Sequence, residues 1–409
     1  ALRLNTTGDY NTASGSRSLY SNTTGDQNTA LGYRSLYTND KSDYNVALGY
    51  GALESHTGGA SGNLYNTAVG YKALNANNAG GNNVALGYQA LYSNTTGMRN
   101  LAIGHNALDD ADAEHDNLAI GYYALGAAIN GAEYNVAIGN KALEDNISGD
   151  ENVAIGYEAM KQNTTGYRGV AIGRGALDAN TEGHNNVAVG YHALSSNLTS
   201  DDNTAIGREA LAISTGASNT AIGYKAGDAN SSGQQNVVIG ATADASVGTA
   251  QNQIVIGYGA TGTGNNYAVI GNADVTRVYA AQDGAAVLYA NATINSSDMR
   301  LKDFIKPVNL GLQFINKLNP VSYLKISKSQ YKGEEENNET RYEYGLIAQE
   351  VDKILKESDP ESTIISEDNE GFLGMDYKQI IMPLIKSIQE LNIEIEKLKK
   401  ELELLKQSK

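Results

Sequence analysis

The sequence contains no cysteine and no tryptophan, and only three phenylalanines. Without cysteine there are no disulfides and no thiol chemistry, and the redox compartment stays open. The scarcity of large core-filling side chains points to a thin, stacked structure. At 409 residues the chain is also too long for one ordinary core. No stretch approaches the roughly 18–20 apolar residues of a membrane span, so no membrane insertion is expected. Positive charge is in deficit: 30 Lys and Arg against 46 Asp and Glu give a net charge of −16. Such a surface repels nucleic-acid backbones and anionic membranes, so neither is an expected partner. The chain starts at Ala1 with no visible secretory signal and no Met, so a leader or upstream domain is expected to be missing. The five histidines (His56, His105, His115, His184, His192) are scattered, so no metal and no cofactor are expected.

What is abundant is repetition. A motif close to Asn-Val-Ala-Ile-Gly begins at Asn28, Asn45, Asn83, Asn100, Asn117, Asn135, Asn152, Asn186, Asn203, Asn219 and Asn236, about every 17 residues. A second motif, Asn-Thr-Thr-Gly, begins at Asn5, Asn22, Asn94 and Asn163. Both slip at the same places, including 21 residues from Asn45 to Asn66 and 18 from Asn117 to Asn135. A period of this length means a solenoid or fibre.

One unit shows how the coil should form. Val84 and Leu86 are two apart and share a strand face, while Ala85 is small where close approach is needed. Gly87 ends the strand and permits a bend. Ala90-Leu91 reads as a second short strand, and Asn94-Thr95-Thr96-Gly97 is turn chemistry. The expected fold is mostly β: a β-solenoid or β-roll rod with two strands and two turns per ~17-residue coil. A helical repeat is excluded by the two Gly and the polar Asn-Thr cluster in each unit. Coils stacking about 4.8 Å apart would make a rod on the order of 70 Å long, with columns of Asn sharing amide hydrogen bonds. Tyr residues just after the repeat Gly (Tyr33, Tyr50, Tyr71, Tyr88, Tyr157, Tyr191, Tyr224) should form a ladder of rings at the coil edge. The last units, through Ile254–Gly257 and Ala268–Gly271, are more apolar, as a capping or transition segment would be.

The Asn-x-Ala-x-Gly unit resembles the head repeat of trimeric bacterial adhesins and the repeat regions of phage tail fibres, with a longer period than the adhesin repeat. That resemblance implies a homotrimeric rod on a virion or cell surface, displaying a face to an unknown cell-surface receptor or glycan. Other readings of the repeats are weaker. The Asn-x-Thr triplets at Asn22, Asn94, Asn163 and Asn197 look like glycan acceptors, yet they recur in phase with the coil, which turn composition explains. An ice-binding face needs an unbroken Thr column, and here the position after Asn mixes Thr, Val and Leu. The insertion from Glu54 to Tyr65 is a candidate receptor loop, though a tolerated bulge is the plainer account. A glycan hydrolase needs carboxylates at a defined separation, and the repeats show no recurring pair.

The composition changes after Gly271. Residues 272–295 read as a neck with two strand-like pieces around Asp283-Gly284. Residues 296–382 form a separate small α+β module, and 383–409 a coiled coil. Within the module, Leu310 to Leu318 reads as a short helix, Val321 to Ile326 as a strand and Lys332 to Arg341 as a charged loop. The C-terminal helix carries the seam Leu384, Ile388, Leu391, Ile395, Leu398, Leu402, Leu405, flanked by charges. By seam composition alone two strands are favoured.

Four motifs in this module run in family order: Ser297-Asp298-Met299-Arg300-Leu301-Lys302, Leu318-Asn319-Pro320-Val321-Ser322-Tyr323, Tyr344-Gly345-Leu346-Ile347-Ala348-Gln349-Glu350-Val351, and Asp376-Tyr377 before a long helix. Their succession resembles the intramolecular chaperone at the C-terminus of phage endosialidases and tail fibres, also found in myelin regulatory factor. The resemblance implies a trimerising chaperone that cuts itself off between Ser296 and Ser297, with Ser297 as nucleophile and Lys302 as base. Three strands then follow for the seam. The residues alone add one point. No His or Cys lies between Ser297 and Lys409, so Lys is the natural base for an activated serine there. It must be desolvated or placed near positive charge to lose its proton, and Arg300 would add such charge. Spacing by itself does not join the pair, and a helix cap at Ser297 or Asp298 with a solvated Lys302 is the plainer alternative. A fibre whose tail is a permanent, non-cleaving clamp is the competing function.

Overall fold

Each repeat motif forms a strand of three residues, from β1 (Thr12–Ser14) to β16 (Ala268–Ile270). The sixteen strands pair in chain order into one parallel sheet. This is a computed structural model, and it describes residues 1–57, 64–127, 129–276, 278, 306–324, 342–368 and 371–407. The chain divides into two compact units, Ala1–Val278 and Tyr279–Lys409.

Register in the rod is strict. Val84 lies beside Leu101, Ala85 beside Ala102, and Leu86 beside Ile103. The 21-residue step does not disturb it, since Val46 still pairs with Thr67, and neither does the 18-residue step, where Leu118 pairs with Val136. The extra residues are therefore taken up in turns. Residues 58–63 of the insertion lie outside the described residues.

The middle residue of the strand points inward. Ala85 is fully buried, while Val84 and Leu86 are 38% and 44% exposed. The coil is narrow: a methyl fills this position in most strands, and Val238 and Val255 fill it in two of the last, so the largest apolar residues of the strand are turned out. The interior is completed by Leu residues from the opposite corner, among them Leu74, Leu91 and Leu108, all fully buried.

That corner corrects the expectation of a second strand. Ala90 and Leu91 lie in a turn, and Leu91 has φ +53°. The left-handed backbone swings the Leu side chain inward. Its N–H still donates to the Ala107 carbonyl of the next coil at 3.0 Å, so stacking continues without strand geometry. Glycine is required at the end of the strand: Gly87 has φ +143°, and an added Cβ would collide with the carbonyl of Gly104 in the next coil.

Two Asn columns satisfy the interior polar groups. In the first, the backbone N–H of Asn100 donates to Asn83 Oδ1 at 2.9 Å, and Asn83 Nδ2 donates to the Gly97 carbonyl at 2.8 Å. In the second, Asn94 Nδ2 donates both to Asn77 Oδ1 at 2.8 Å and to the Gly97 carbonyl at 3.2 Å. These are the shared amides expected of stacked Asn. They also settle the Asn-x-Thr triplets: Asn22, Asn94, Asn163 and Asn197 are buried, with their amides bonded to their own turns.

The columns are patched where the sequence departs. Gly169 replaces Asn, and Met160, standing where most coils have Leu, extends into the vacated space. Buried Glu114 accepts from the N–H groups of Asp112, Ala113 and Gly131 at 2.8–3.0 Å. His56 takes an Asn position and accepts from Asn77 Nδ2 through Nδ1 at 3.0 Å.

The C-terminal unit has its own small core of Leu310, Phe314, Val351, Leu355, Ile364 and Ile380. Helix α1 (Leu312–Ile315) is shorter than expected and precedes β17 (Val321–Leu324), which pairs antiparallel with β18 (Tyr342–Gly345). Helix α2 (Ala348–Ser358) follows, then the hairpin of β19 (Ile365–Glu367) and β20 (Leu373–Met375). A 3-10 turn (Tyr377–Ile380) leads into α3 (Ile381–Gln407). The two neck strands expected around Asp283, and the charged loop from Lys332, lie outside the described residues.

Candidate functional site

Ser296, Ser297, Arg300 and Lys302 lie outside the described residues. What is described is the scaffold made by the other three C-terminal motifs, and it brings them to one point. The Tyr377 hydroxyl accepts from the Leu346 N–H at 2.7 Å and lies beside the Tyr323 hydroxyl. A Cβ on Gly345 would meet Tyr323 Oη at 3.0 Å and Tyr377 Oη closer still, so glycine is required under the two phenols. Desolvation, then the neighbouring Tyr377, raises the Tyr323 hydroxyl above its ordinary pKa.

A second long-range contact was not legible in the sequence. Glu390, about two and a half turns into α3 and a seam-flanking charge by sequence pattern, accepts the Leu312 N–H at 2.7 Å. Its carboxylate closes over Gly311, where any Cβ would strike it. The helix that carries the seam thereby fixes the start of α1.

Beside the motif junction is an apolar groove of about 370 Å³, lined by residues that include Leu318, Pro320, Tyr344, Leu346 and Leu384. Tyr344 is 87% exposed there. The seam residues Leu384, Ile388, Leu391, Ile395, Leu398 and Leu402 are all exposed on the single chain.

The rod offers two further surfaces. One is the outer strand face, where residues such as Val84, Leu86, Ile172, Ile206, Ile222, Ile254 and Ile256 are exposed. The other is the edge column one residue past the repeat Gly. Tyr33, Tyr50, Tyr71, Tyr88, His105 and Tyr122 follow one another there at 4.7–5.3 Å between ring centroids. The expected Tyr ladder is thus present. Sequence reading missed that His105, Arg174 and Arg208 serve as rungs, because they share flatness with Tyr rather than composition. Among the described residues no group of His, Asp and Glu is placed to hold a metal ion, and no helix is long and apolar enough to cross a membrane.

A long parallel solenoid followed by a small α+β unit with an exposed apolar helix is the architecture of a fibre. Residues 297–359 match the family described as Chaperone of endosialidase, a self-cleaving peptidase family. The match and the rod of ~17-residue coils together fit a tail-fibre-like protein with a C-terminal chaperone domain. No curated protein matches the chain.

Proposed function

We propose that this chain is the subunit of a homotrimeric surface or tail fibre, whose C-terminal module acts as an intramolecular trimerisation chaperone and then cuts itself off before Ser297. The observation that carries this reading is the family match, which begins at Ser297 and takes in the first three C-terminal motifs. We assign the module to 296–382, the neck to 272–295 and the coiled coil to 383–409. The virion or an extracellular surface is the setting, and a cell-surface receptor or glycan is the target.

Two exposed apolar features support trimerisation. A solvated monomer has no use for an apolar stripe along its outer strand face, nor for a heptad seam turned to water. Three copies meeting along the strand face would bury the Val, Leu and Ile side chains that a single coil is too thin to enclose. The seam would close in the same way.

Ser297 Oγ attacks the carbonyl carbon of Ser296 while neutral Lys302 takes the hydroxyl proton. The Ser296–Ser297 C–N bond breaks as that proton passes to the departing amine, leaving an ester on Ser297 Oγ. Water then hydrolyses the ester, giving a Ser296 carboxylate and restoring the Ser297 hydroxyl. Lys302 acts as base only when desolvated, and packing of three chains supplies that desolvation. Cleavage therefore reports correct assembly.

Denaturing gels test this directly. Wild type should yield a fragment running from Ser297 to Lys409, and Ser297→Ala and Lys302→Met should abolish it. An intact wild-type chain, with noncovalent retention of the tail excluded, would favour the permanent clamp.

A further inference from the structure

Between Tyr224 and Tyr258 the edge column of the rod has a rung reduced to a methyl group, that of Ala241. From Tyr33 to Tyr258 most rungs hold one flat ring or guanidinium. The Arg174 guanidinium lies 5.5 Å from the Tyr157 centroid and 5.9 Å from that of Tyr191, and Arg208 lies 5.6 Å from both Tyr191 and Tyr224. Phenol, imidazole and guanidinium thus all fit one coil spacing. At Asn140 the rung is a side chain folded back to accept the Tyr122 N–H at 3.0 Å. At Ala241 it is a methyl group.

The surroundings of Ala241 are stripped as well. In the next coil Gly259 occupies the neighbouring column, and an added Cβ there would meet nothing nearer than Thr242 Oγ1 at 3.9 Å. Tyr258, the next rung, is 74% exposed, against 44% for Tyr224. Among the described residues Tyr258 stacks on no other ring. Tyr224 and Tyr258 therefore bracket a gap two rungs high, with Ala241 between them.

We propose that this notch binds one pyranose ring of a glycan, stacked between Tyr224 and Tyr258 over Ala241, and so forms a receptor contact of the rod. The proposal rests on the fibre reading above and names a site and ligand class for it. Ring faces are electron-rich and attract the weakly positive C–H groups of a sugar face. The sugar's hydroxyls need polar partners at the ring edge, and the rim supplies both kinds. Thr242 contributes a hydroxyl. Lys225 Nζ lies 5.9 Å from the Tyr224 centroid and 3.9 Å from Asp228 Oδ2. Asp228 is hydrogen-bonded to Asp244, and Asp244 accepts the Ala229 N–H at 3.0 Å. Burial lifts the Asp244 carboxyl to about 6; the Ala229 N–H opposes this, and Asp228 adds to it. An aromatic side chain from a protein partner would leave these groups facing carbon.

The test is affinity electrophoresis of the full chain through gels containing mannan, xylan, laminarin or bacterial lipopolysaccharide. At least one should retard the wild type. Ala241→Tyr, which fills the rung as Tyr fills its neighbours, should weaken that retardation at least tenfold without lowering the melting temperature. Tyr258→Ala should act in the same direction, and Tyr33→Ala at the far end should not. No retardation by any of the four, or equal retardation of Ala241→Tyr, overturns the proposal. Sedimentation of the same samples separates the two ideas. Single copies that bind through the notch would remove the trimer and keep the site, whereas trimers that bind nothing would remove the site alone.

Discussion

Asparagine is the residue on which the rod depends, because a coil this thin has little apolar matter with which to screen its backbone. The one imidazole in the Asn columns is the weak point. His56 is fully buried, its Nε2 has no hydrogen-bond partner, and the facing Asn39 Oδ1 has none either. Burial lowers its pKa from 6.5 to about 4, against a smaller upward pull from the Asn77 backbone. The folded state therefore holds fewer protons than the unfolded chain between those values. Stability is complete above pH 6.5 and falls as pH drops toward about 4, by about 3 kcal/mol for this group. Thermal melts at pH 7 and pH 4.5 should show a larger acid loss for wild type than for His56→Asn, which restores the amide. Equal losses would contradict it. Gly87→Ala should cost roughly 2–3 kcal/mol through strained φ and the clash with Gly104. Gly131→Ala, at φ +91° but facing open space, should cost less, and denaturant midpoints compare the two.

At the scale of elements, periodicity was legible and local conformation was not. The recurring Asn, Ala and Gly placed most of the strands, because each position has one physical task that few residues perform; β10 (Val170–Ile172), which follows Gly169 instead of Asn, lacks the first of these marks. The Ala-Leu pair read as a strand since apolar pairs usually do. Its left-handed Leu leaves no mark in composition. In the C-terminal unit the motifs were visible as a succession, but the meeting of Tyr323, Gly345 and Tyr377 depends on a fold that brings distant segments together. Tyr377→Phe removes the acceptor of the Leu346 N–H and should destabilise this unit by about 1 kcal/mol, read as a lower melting temperature. Leu391→Asp or Leu398→Asp puts a charge into the proposed seam. Either should abolish both trimers and cleavage, although the seam lies far along the chain from Ser297. Cleavage at the wild-type rate in these variants would separate the seam from the chemistry.

At the scale of the whole molecule, the rod and the C-terminal unit share one deficiency: each leaves apolar surface exposed on the single chain. In the rod it is the outward Val, Leu and Ile of the strands after β1, and in the C-terminal unit it is the seam of α3. The fibre class was readable from the repeat and the motif order together. The proposed dyad rests on resemblance alone, since five residues of spacing between Ser297 and Lys302 fix no geometry by themselves. Sedimentation equilibrium of the Ser297→Ala chain, which stays intact and uniform, weighs the assembly directly. A trimeric fibre requires a mass three times the 43.3 kDa of one chain, independent of dilution across the working range. A folded, stable species of one chain's mass would contradict it.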